Sequence, residues 1–505
     1  MGKVLTRNSA GKVNLIRNLT RKTTGRSWCL RCLRCRQRSQ RRQRRPRSRL
    51  RRWHARIAPF VIVALVVGIK VVNYGSGGEI RPRILLDVGA HLVSFVENKY
   101  RNTPALHDCA PGLTQRVVDG GFVCTTVADD TVAHRIFNGY PALGGPRAAI
   151  YPSTTDPDQA AADALLDGVI NVPRNPPYRV GADPDWAHLD PYQDAYWRFH
   201  YYSMRPAVAL IDAYADTGDT RYLDRLRALT AAFLAESDPD SVKWADEHAV
   251  ALRGMALVYQ WWTLRAQHAL TVAESDALLA EIARTADYLA DPNHYDPESG
   301  HGTDESAALL LIAHSFPDLP GAAGWSDLAR TRIAQGVAQR IDADGVLADS
   351  SPYYHVHELD RLWQIRGFCR DLGIPLVDDL DPVIDRMVTY ATYILRPDRT
   401  IPLLGSSTAK EIHRSGSFQE MAEEYPALDY VLSGGTVGSE PDRTSITFPH
   451  SGHTVLRSGW DSGDSAADAT YLTFNVGSYR NTRNHLDLLG VTLFGQGGPL
   501  LADGG

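Results

Sequence analysis

Residues 222–234 read Tyr-Leu-Asp-Arg-Leu-Arg-Ala-Leu-Thr-Ala-Ala-Phe-Leu. Apolar side chains recur there at three- and four-residue spacing, the period of one face of an α-helix. Ala249–Leu264, Ala273–Leu289 and Asp327–Ile341 repeat the texture, and several put Ala on the inner face, where helices can approach closely. Gly218-Asp219 and Asp238-Pro239 punctuate the run as turns. From residue 188 to residue 395 such helical hairpins follow one another without intervening strands. That pattern predicts a curved or closed α/α array, although no strict sequence repeat is present. An α/α toroid of this kind offers a long concave groove suited to a chain-like ligand.

The texture changes after Pro441. Ser445–Phe448, His453–Leu456 and Tyr471–Val476 read as strands between Gly, Asp and Ser turns, and Leu488–Phe494 and Pro499–Leu501 continue them. The fold class expected is therefore mainly α then β. Residues 89–440 would form the toroid with its irregular lead-in, and residues 441–505 the start of an antiparallel β-sandwich. Too few strands are present for a complete sandwich, and an edge left unpaired is a liability. The expectation is that the sequence is a fragment of a longer protein.

The net charge of −4 over 505 residues hides a division. Residues 1–56 carry 20 Lys and Arg and no Asp or Glu, so the remainder holds 54 − 20 = 34 basic against 58 acidic residues. Between arm and body lies the apolar run Ile57–Ile69, extended past Lys70 by Val71 and Val72. It is shorter than the ~20 residues of a full span, but Lys70 can snorkel. Residues 57–73 read as an uncleaved signal anchor, with a linker at 74–88. The arm would then stay in the cytoplasm and the body would lie outside. A cleaved signal peptide, and so a secreted body, is the other reading. Twenty cations can bind RNA, but beside an apolar run topology and lipid contact explain them, and no nucleic-acid partner is expected. Nothing in the sequence sets an oligomeric state.

Six cysteines are present. Cys29, Cys32 and Cys35 form a run that lacks a fourth ligand for zinc or an iron–sulfur cluster. Cys109 and Cys124 lie in the exported part, where a disulfide is permitted. Cys369 sits in a helical pattern and is expected in the core.

Four constellations carry chemistry. Asp344-Gly-Val-Leu-Ala-Asp-Ser-Ser-Pro-Tyr-Tyr-His355 sets the phenol of Tyr354 beside the imidazole of His355, after an acid (Asp349) and before an amphipathic helix. Ser299-Gly-His-Gly-Thr-Asp-Glu-Ser306 presents His301 between glycines, which allow close approach of a ligand, at the start of a helix over Asp304–Ser315. Trp244-Ala-Asp-Glu-His248, with Arg253 five residues on, offers a groove-facing trio. Arg480-Asn-Thr-Arg-Asn-His-Leu-Asp487 is dense with donors at a strand entry. Each also has a plain structural reading: a capping Tyr, a helix-entry turn, a core His–Arg pair, a polar loop.

Taken together, these segments resemble the heparinase II/III-like polysaccharide lyases, which include alginate, heparin and heparan lyases. Asp185-Trp186 and Tyr196-Trp-Arg-Phe-His200 resemble that family's entry to its toroid. Residues 299–317 are similar to its Asn-His-Gly helix start, and residues 344–355 to its Asp-Gly…Glu-x-Ser-Pro-x-Tyr-His run. Residues 448–458 and 485–505 resemble its first sandwich strands and its His-x-Asp…Leu-x-Asp-x-Gly segment. The resemblance covers residues 180–505; each motif is weak alone, and their order gives them weight.

The resemblance implies an (α/α) toroid followed by an antiparallel β-sandwich, with the active site between them. It implies β-elimination at uronic acid residues of an anionic polysaccharide. The carboxylate must be neutralised, the C5 proton removed and the leaving O4 protonated. Tyr354 is the implied base and acid, His301 an alternative base or neutraliser, and His485 closes the site from the β side. Trp244, His248, Arg253, His355 and Arg483 are the implied substrate contacts. A phenol working as its anion near neutrality needs roughly 4 kcal/mol of preferential stabilisation, part of which Arg253 or Arg483 could supply. No cofactor is required. Some relatives hold a structural zinc with two His and an Asp, for which His485 and Asp503 are the matching candidates. Three positions depart from the pattern: Gly300 stands for Asn, Asp349 for Glu and Arg483 for His. Two other readings remain open, a glycoside hydrolase using Asp304 and Asp349 and a non-catalytic protein that binds acidic glycans.

Overall fold

The computed structural model describes residues 113–118, 121–126, 150, 159–181, 184–238, 241–460, 468–477, 485 and 488–503. The chain divides into two units, Met1–Glu97 and Asn98–Gly505, and every described residue belongs to the second. The basic arm, the apolar run at 57–73, the linker, the Cys29–Cys35 run, Cys109 and Arg483 lie outside the described residues. Among the described residues no helix is long and apolar enough to cross a membrane.

Two short antiparallel hairpins precede the helices, β1 (Leu113–Val118) with β2 (Gly121–Thr126), and β3 (Val169–Ile170) with β4 (Tyr178–Arg179). The sequence reading did not anticipate either. A first helix, α1 (Gln159–Leu166), lies between them. The helical body then runs α2 (Ala195–Tyr202), α3 (Arg205–Thr217), α4 (Thr220–Ala235), α5 (Glu247–Ala266), α6 (Val272–Ala290), α7 (Gly300–Ser315), α8 (Ala322–Arg340), α9 (Pro352–Leu372) and α10 (Asp381–Ile394). Two short helices, α11 (Gly416–Glu424) and α12 (Pro426–Leu432), complete it.

Local signals set the ends. Gly218 closes α3 at φ 69°, and the carboxylate of Asp219 caps α4 by accepting from Arg221 N, so the turn read from Gly218-Asp219 is present. Thr271 and Glu274 form a reciprocal capping box at α6. Ser299 caps α7 by accepting from His301 N, which starts that helix at Gly300 rather than at Asp304 as expected.

Burial separates the helices into two layers. Fifteen of the twenty residues of α5 and twelve of the sixteen of α7 are buried, against seven of nineteen in α8. Helices α3, α5, α7 and α9 pack side by side in sequence order, and α4, α6 and α8 lie outside them, each against its inner partner. This is the α/α array that the periodicity predicted. Cys369 lies in its core, where burial pushes the thiol up to about 12.

A buried ion pair ties the layers together. Arg340 at the end of α8 donates to Glu358 Oε1 of α9 at 2.6 Å, and Thr303 of α7 donates to the same oxygen at 2.7 Å. The opposite charges and the Thr303 hydroxyl meet at one oxygen, which lets the pair sit in the interior.

The chain then forms one antiparallel sheet in the order β5 (Ser445–Phe448), β6 (His453–Arg457), β7 (Tyr471–Asn475), β8 (Gly490–Gly495) and β9 (Gly498–Leu501). A second core of Tyr390, Tyr393 and Ile394 from α10 with Phe448, Val455, Tyr471 and Phe494 welds this sheet to the helices. Polar ties reinforce it: Tyr471 donates to Ile394 O at 2.6 Å, and Tyr390 meets His453 Nδ1 at 2.8 Å.

The loop 344–351 is wedged between helices and sheet. Asp344 accepts from the backbone N–H groups of His450 and Ser451. Gly345 at φ +80° lies against α10, where an added Cβ would stand 2.4 Å from Arg386 Cβ. His355 corrects an expectation. It is fully buried, donates from Nε2 to Met387 O at 3.0 Å and accepts from Leu347 N at 3.4 Å, so it pins the loop to α10 and touches no groove. Burial, offset in part by the Met387 carbonyl, holds it at about 4.

Two outcomes follow from this loop. Gly345→Ala combines a left-handed backbone with a backbone collision, so it should destabilise the fold by about 3 kcal/mol in urea unfolding. His355 is neutral when folded but takes a proton below its ordinary 6.5 when unfolded. Stability should therefore fall as pH drops from 6.5 towards 4, with His355 contributing on the order of 3 kcal/mol. Unfolding titrations across that window should show a shallower pH slope for His355→Gln; an unchanged slope would refute the assignment.

Candidate functional site

The site gathers at the ends of the inner helices, where α2, α3, α5, α7 and α9 point charged and aromatic side chains at one another. Its centre is Asp304, one turn into α7. Asp304 Oδ2 accepts from His248 Nε2 of α5 at 2.7 Å, and Oδ1 accepts from Arg361 Nε of α9 at 2.5 Å. Burial alone would raise this carboxyl, but Arg361 and His248 hold it well below the usual carboxylate range. A carboxylate so engaged cannot act as a proton donor, so in a hydrolase built on Asp304 and Asp349 the acid would have to be Asp349. Asp349 is itself buried.

The ring of His248 stacks on that of His301 with centroids 4.1 Å apart, and it meets Phe199 at a tilt, with centroids 4.9 Å apart. His301 also lies 3.9 Å from Asp296 Oδ2 through Nδ1. The two histidines, 53 positions apart in the sequence, are thus presented as one pair, each partly exposed.

Tyr354 stands in the first turn of α9. Ser351 caps that helix and Pro352 occupies its first position, which fixes the exit direction of the chain. The rings of Tyr353 and Tyr354 meet edge to face at 5.4 Å, and Tyr353 meets His357 at 4.5 Å. Burial, then the charge of Lys410, holds His357 at about 4, so it is a neutral imidazole at neutral pH.

The β-domain reaches the same place through serines. Ser351 Oγ lies 2.8 Å from Ser407 Oγ and donates to Ser406 O at 3.3 Å. Ser406 Oγ in turn lies 3.1 Å from His485 Nε2, between β7 and β8. One short loop, Gly405-Ser406-Ser407, therefore bridges the start of the Tyr354 helix and His485.

The structure thus stacks His248 on His301 beside Asp304, sets Tyr354 in the first turn of α9, and links His485 to the cap of that helix through Ser406 and Ser407. It leaves two expected substrate contacts elsewhere. Arg253 is fully buried and donates to the carbonyls of Tyr202 and Lys243 at 2.9 and 2.7 Å. Trp244 is buried between Arg253 and Arg284, 4.8 and 4.6 Å from its ring, and packs on Tyr288. The physical reason is helical phase. Five residues carry the chain about 140° around a helix, so His248 and Arg253 cannot share a face. His355 fails for the same reason, one step round from Tyr354.

Residues that the sequence reading passed over take those places. His357 and Arg361 follow Tyr354 at helical spacing and lie on its side of α9, a stripe legible in the sequence. Arg205 and His200 come from α3 and α2, and no spacing in the sequence marks Arg205 as part of the site.

A Cβ added at Gly300 would stand 3.1 Å from Glu358 Oε2, so the position where the family pattern has Asn is closed in by the carboxylate of the Arg340–Glu358 pair. His485 Nε2 faces Ser406, and among the described residues no three His, Cys, Asp or Glu side chains gather as metal ligands.

Comparison with known proteins agrees with this architecture. The curated heparin-sulfate lyase of Pedobacter heparinus is 24% identical over 298 residues, which cover 56% of this chain and 44% of that protein. The chain thus spans less than half the length of that relative. The crystal structure of the heparan sulfate lyase from Pedobacter heparinus superposes with a TM-score of 0.55 at 21% identity, over 74% of this chain and 60% of the other. That of heparinase III gives 0.63 at 18% identity, over 74% and 62%. The fold they share is an (α/α) toroid followed by an antiparallel β-sandwich domain, of which this chain carries the five-stranded sheet. The sequence pattern described as the heparinase II/III N-terminus matches residues 148–431, more than half of the chain and all of the helical layers around Asp304, and the chain therefore belongs to the heparinase II/III family.

Proposed function

We propose that this chain is the toroid-bearing part of a polysaccharide lyase that cleaves a uronate-containing polysaccharide by β-elimination. The observation that supports the reading is the stacked His248–His301 pair held by Asp304, with Tyr354 in the first turn of α9 and His485 tied to the cap of that helix through Ser406 and Ser407. Three of these groups move or hold protons readily, and cationic side chains surround them.

In this reaction the Tyr354 oxygen, as phenolate, takes the C5 proton of the uronate. The electron pair left at C5 forms the C4–C5 double bond as the C4–O4 bond breaks. The same oxygen then returns the proton to O4, so base and acid are one group acting in turn. Donors of the site would stabilise the developing enolate. His248, oriented by Asp304, keeps its stacked neighbour His301 in place as a donor or as base for the opposite stereochemistry. His485, held by Ser406, borders the site from the β side. In this reading the apolar run at 57–73 anchors the body outside the cytoplasm, where such polymers occur.

The relatives' names point to heparin and heparan sulfate as first substrates to try, with alginate and hyaluronan beside them. Cleavage should generate the ultraviolet absorbance of an unsaturated uronate. Tyr354→Phe should cut kcat by at least ~100-fold, the usual scale for loss of a general acid–base group, with little change in thermal unfolding. Product chains without the double bond would mark a hydrolase. Binding of an acidic glycan with no turnover, indifferent to Tyr354→Phe, would mark a non-catalytic glycan-binding protein.

A further inference from the structure

One cation of the site forms no ion pair with any described residue. Arg205 opens α3, and Asp304 is the acid whose charge bears on it most, yet both Asp304 oxygens are taken by His248 and Arg361. Arg205 Nη1 donates instead to His200 Nε2 at 3.0 Å, and its guanidinium lies over the Phe199 ring, 5.2 Å from the centroid. His200 Nδ1 donates to Tyr196 O at 2.9 Å, which leaves Nε2 as the lone-pair acceptor. Burial first, then the Arg205 charge, holds His200 at about 4, so the imidazole is uncharged at neutral pH.

Arg205 is thus oriented by neutral partners, and its Nε is buried with no hydrogen-bond acceptor. Among the described residues no carboxylate forms an ion pair with it. A half-buried guanidinium without a paired anion is costly, and a carboxylate is its natural partner. The surroundings are those of the reaction. Tyr353, which packs on Tyr354, and His357 both feel the Arg205 charge. Gly300, where the family pattern places an Asn, has no side chain to neutralise a substrate, and Glu358 lines that gap.

We propose that Arg205, steered by His200, binds the uronate carboxylate of the substrate and supplies the charge neutralisation that Gly300 cannot. The assignment rests on the lyase reading and adds to it the group that acidifies the C5 proton. It makes Arg205 selective for a carboxylate on the sugar that loses the proton, whether or not the polymer is sulfated.

The test compares wild type, Arg205→Met and Arg205→Lys on a uronate polymer and on its methyl ester, in which the carboxylate charge is already removed. Arg205→Met should lose at least 100-fold in kcat on the acid polymer but less than 10-fold on the ester, and Arg205→Lys should recover part of the loss. Activity on the ester also shows that the variant is folded. Equal loss on both polymers, or loss confined to KM, would overturn the assignment, as would a defect seen only with sulfated chains. If wild type cleaves nothing, the lyase reading fails by itself. Retention on an immobilised uronate oligosaccharide then decides Arg205: weaker retention of Arg205→Met than of wild type supports carboxylate binding, and equal retention refutes it.

Discussion

The carboxylate of Asp304 is the constraint on which the site depends. It joins three inner helices at once, with α7 supplying the acid, α5 the imidazole of His248 and α9 the guanidinium of Arg361. An ionised carboxylate at this depth is costly unless both oxygens are matched by charge-assisted donors. Here they are, and the result is rigidity where the groove needs it. His248 is fixed, so its stacked neighbour His301 is fixed, and the spacing between α7 and α9 sets where Tyr354 stands relative to both.

The second constraint runs between helices and sheet. The segment around Asp344 and Gly345 is tied to the β5–β6 turn, while His355 is tied to α10, and α10 carries Tyr390 and Tyr393 into the core of the sheet. Tyr354 lies next in sequence to that buried His355. Its position is therefore set by the sheet as well as by the helices. The serines at 406 and 407 complete the circuit to His485. A site assembled from two domains in this way is a single object only when the domains are docked, which is why a small loop such as 404–407 matters as much as the residues it connects.

How much of this was legible in the sequence depends on exposure. Outer helices such as α4 keep one wet face, so their period is plain in residues 222–234. Inner helices such as α7 are buried nearly all round, their period blurs, and the start of α7 was read four residues late. Strands β5 to β9 were legible within two residues at each end, because alternation and Gly turns are local. The candidate site was legible where one residue is conspicuous by its neighbours, as with His301, which the structure stacks on His248. It was not legible where nearness along the chain was taken for nearness in space: Arg253 and His355 are close in sequence to His248 and Tyr354 but point away from them. Arg205 could not have been found by spacing, since its place in the site comes from the approach of α2, α3 and α9.

The departures from the family pattern are best weighed as charge rather than as residue identity. Replacing Asn by Gly at 300 removes an uncharged donor from the mouth, and Glu358 beside it adds a carboxylate that would repel a uronate. Glu358 is answered by Arg340 and Thr303, so that repulsion is damped at its source. Arg205 remains, a cation whose partners are all neutral. An asparagine can donate to a uronate carboxylate, but a guanidinium donates twice and brings a full charge. A site that trades the first for the second binds the charged ground state more strongly. It gains rate only in so far as the guanidinium meets the enolate better than the carboxylate. The orientation of Arg205 is set by a neutral His200, which accepts from Nη1, and by the Phe199 ring, so an incoming carboxylate displaces no acid from it.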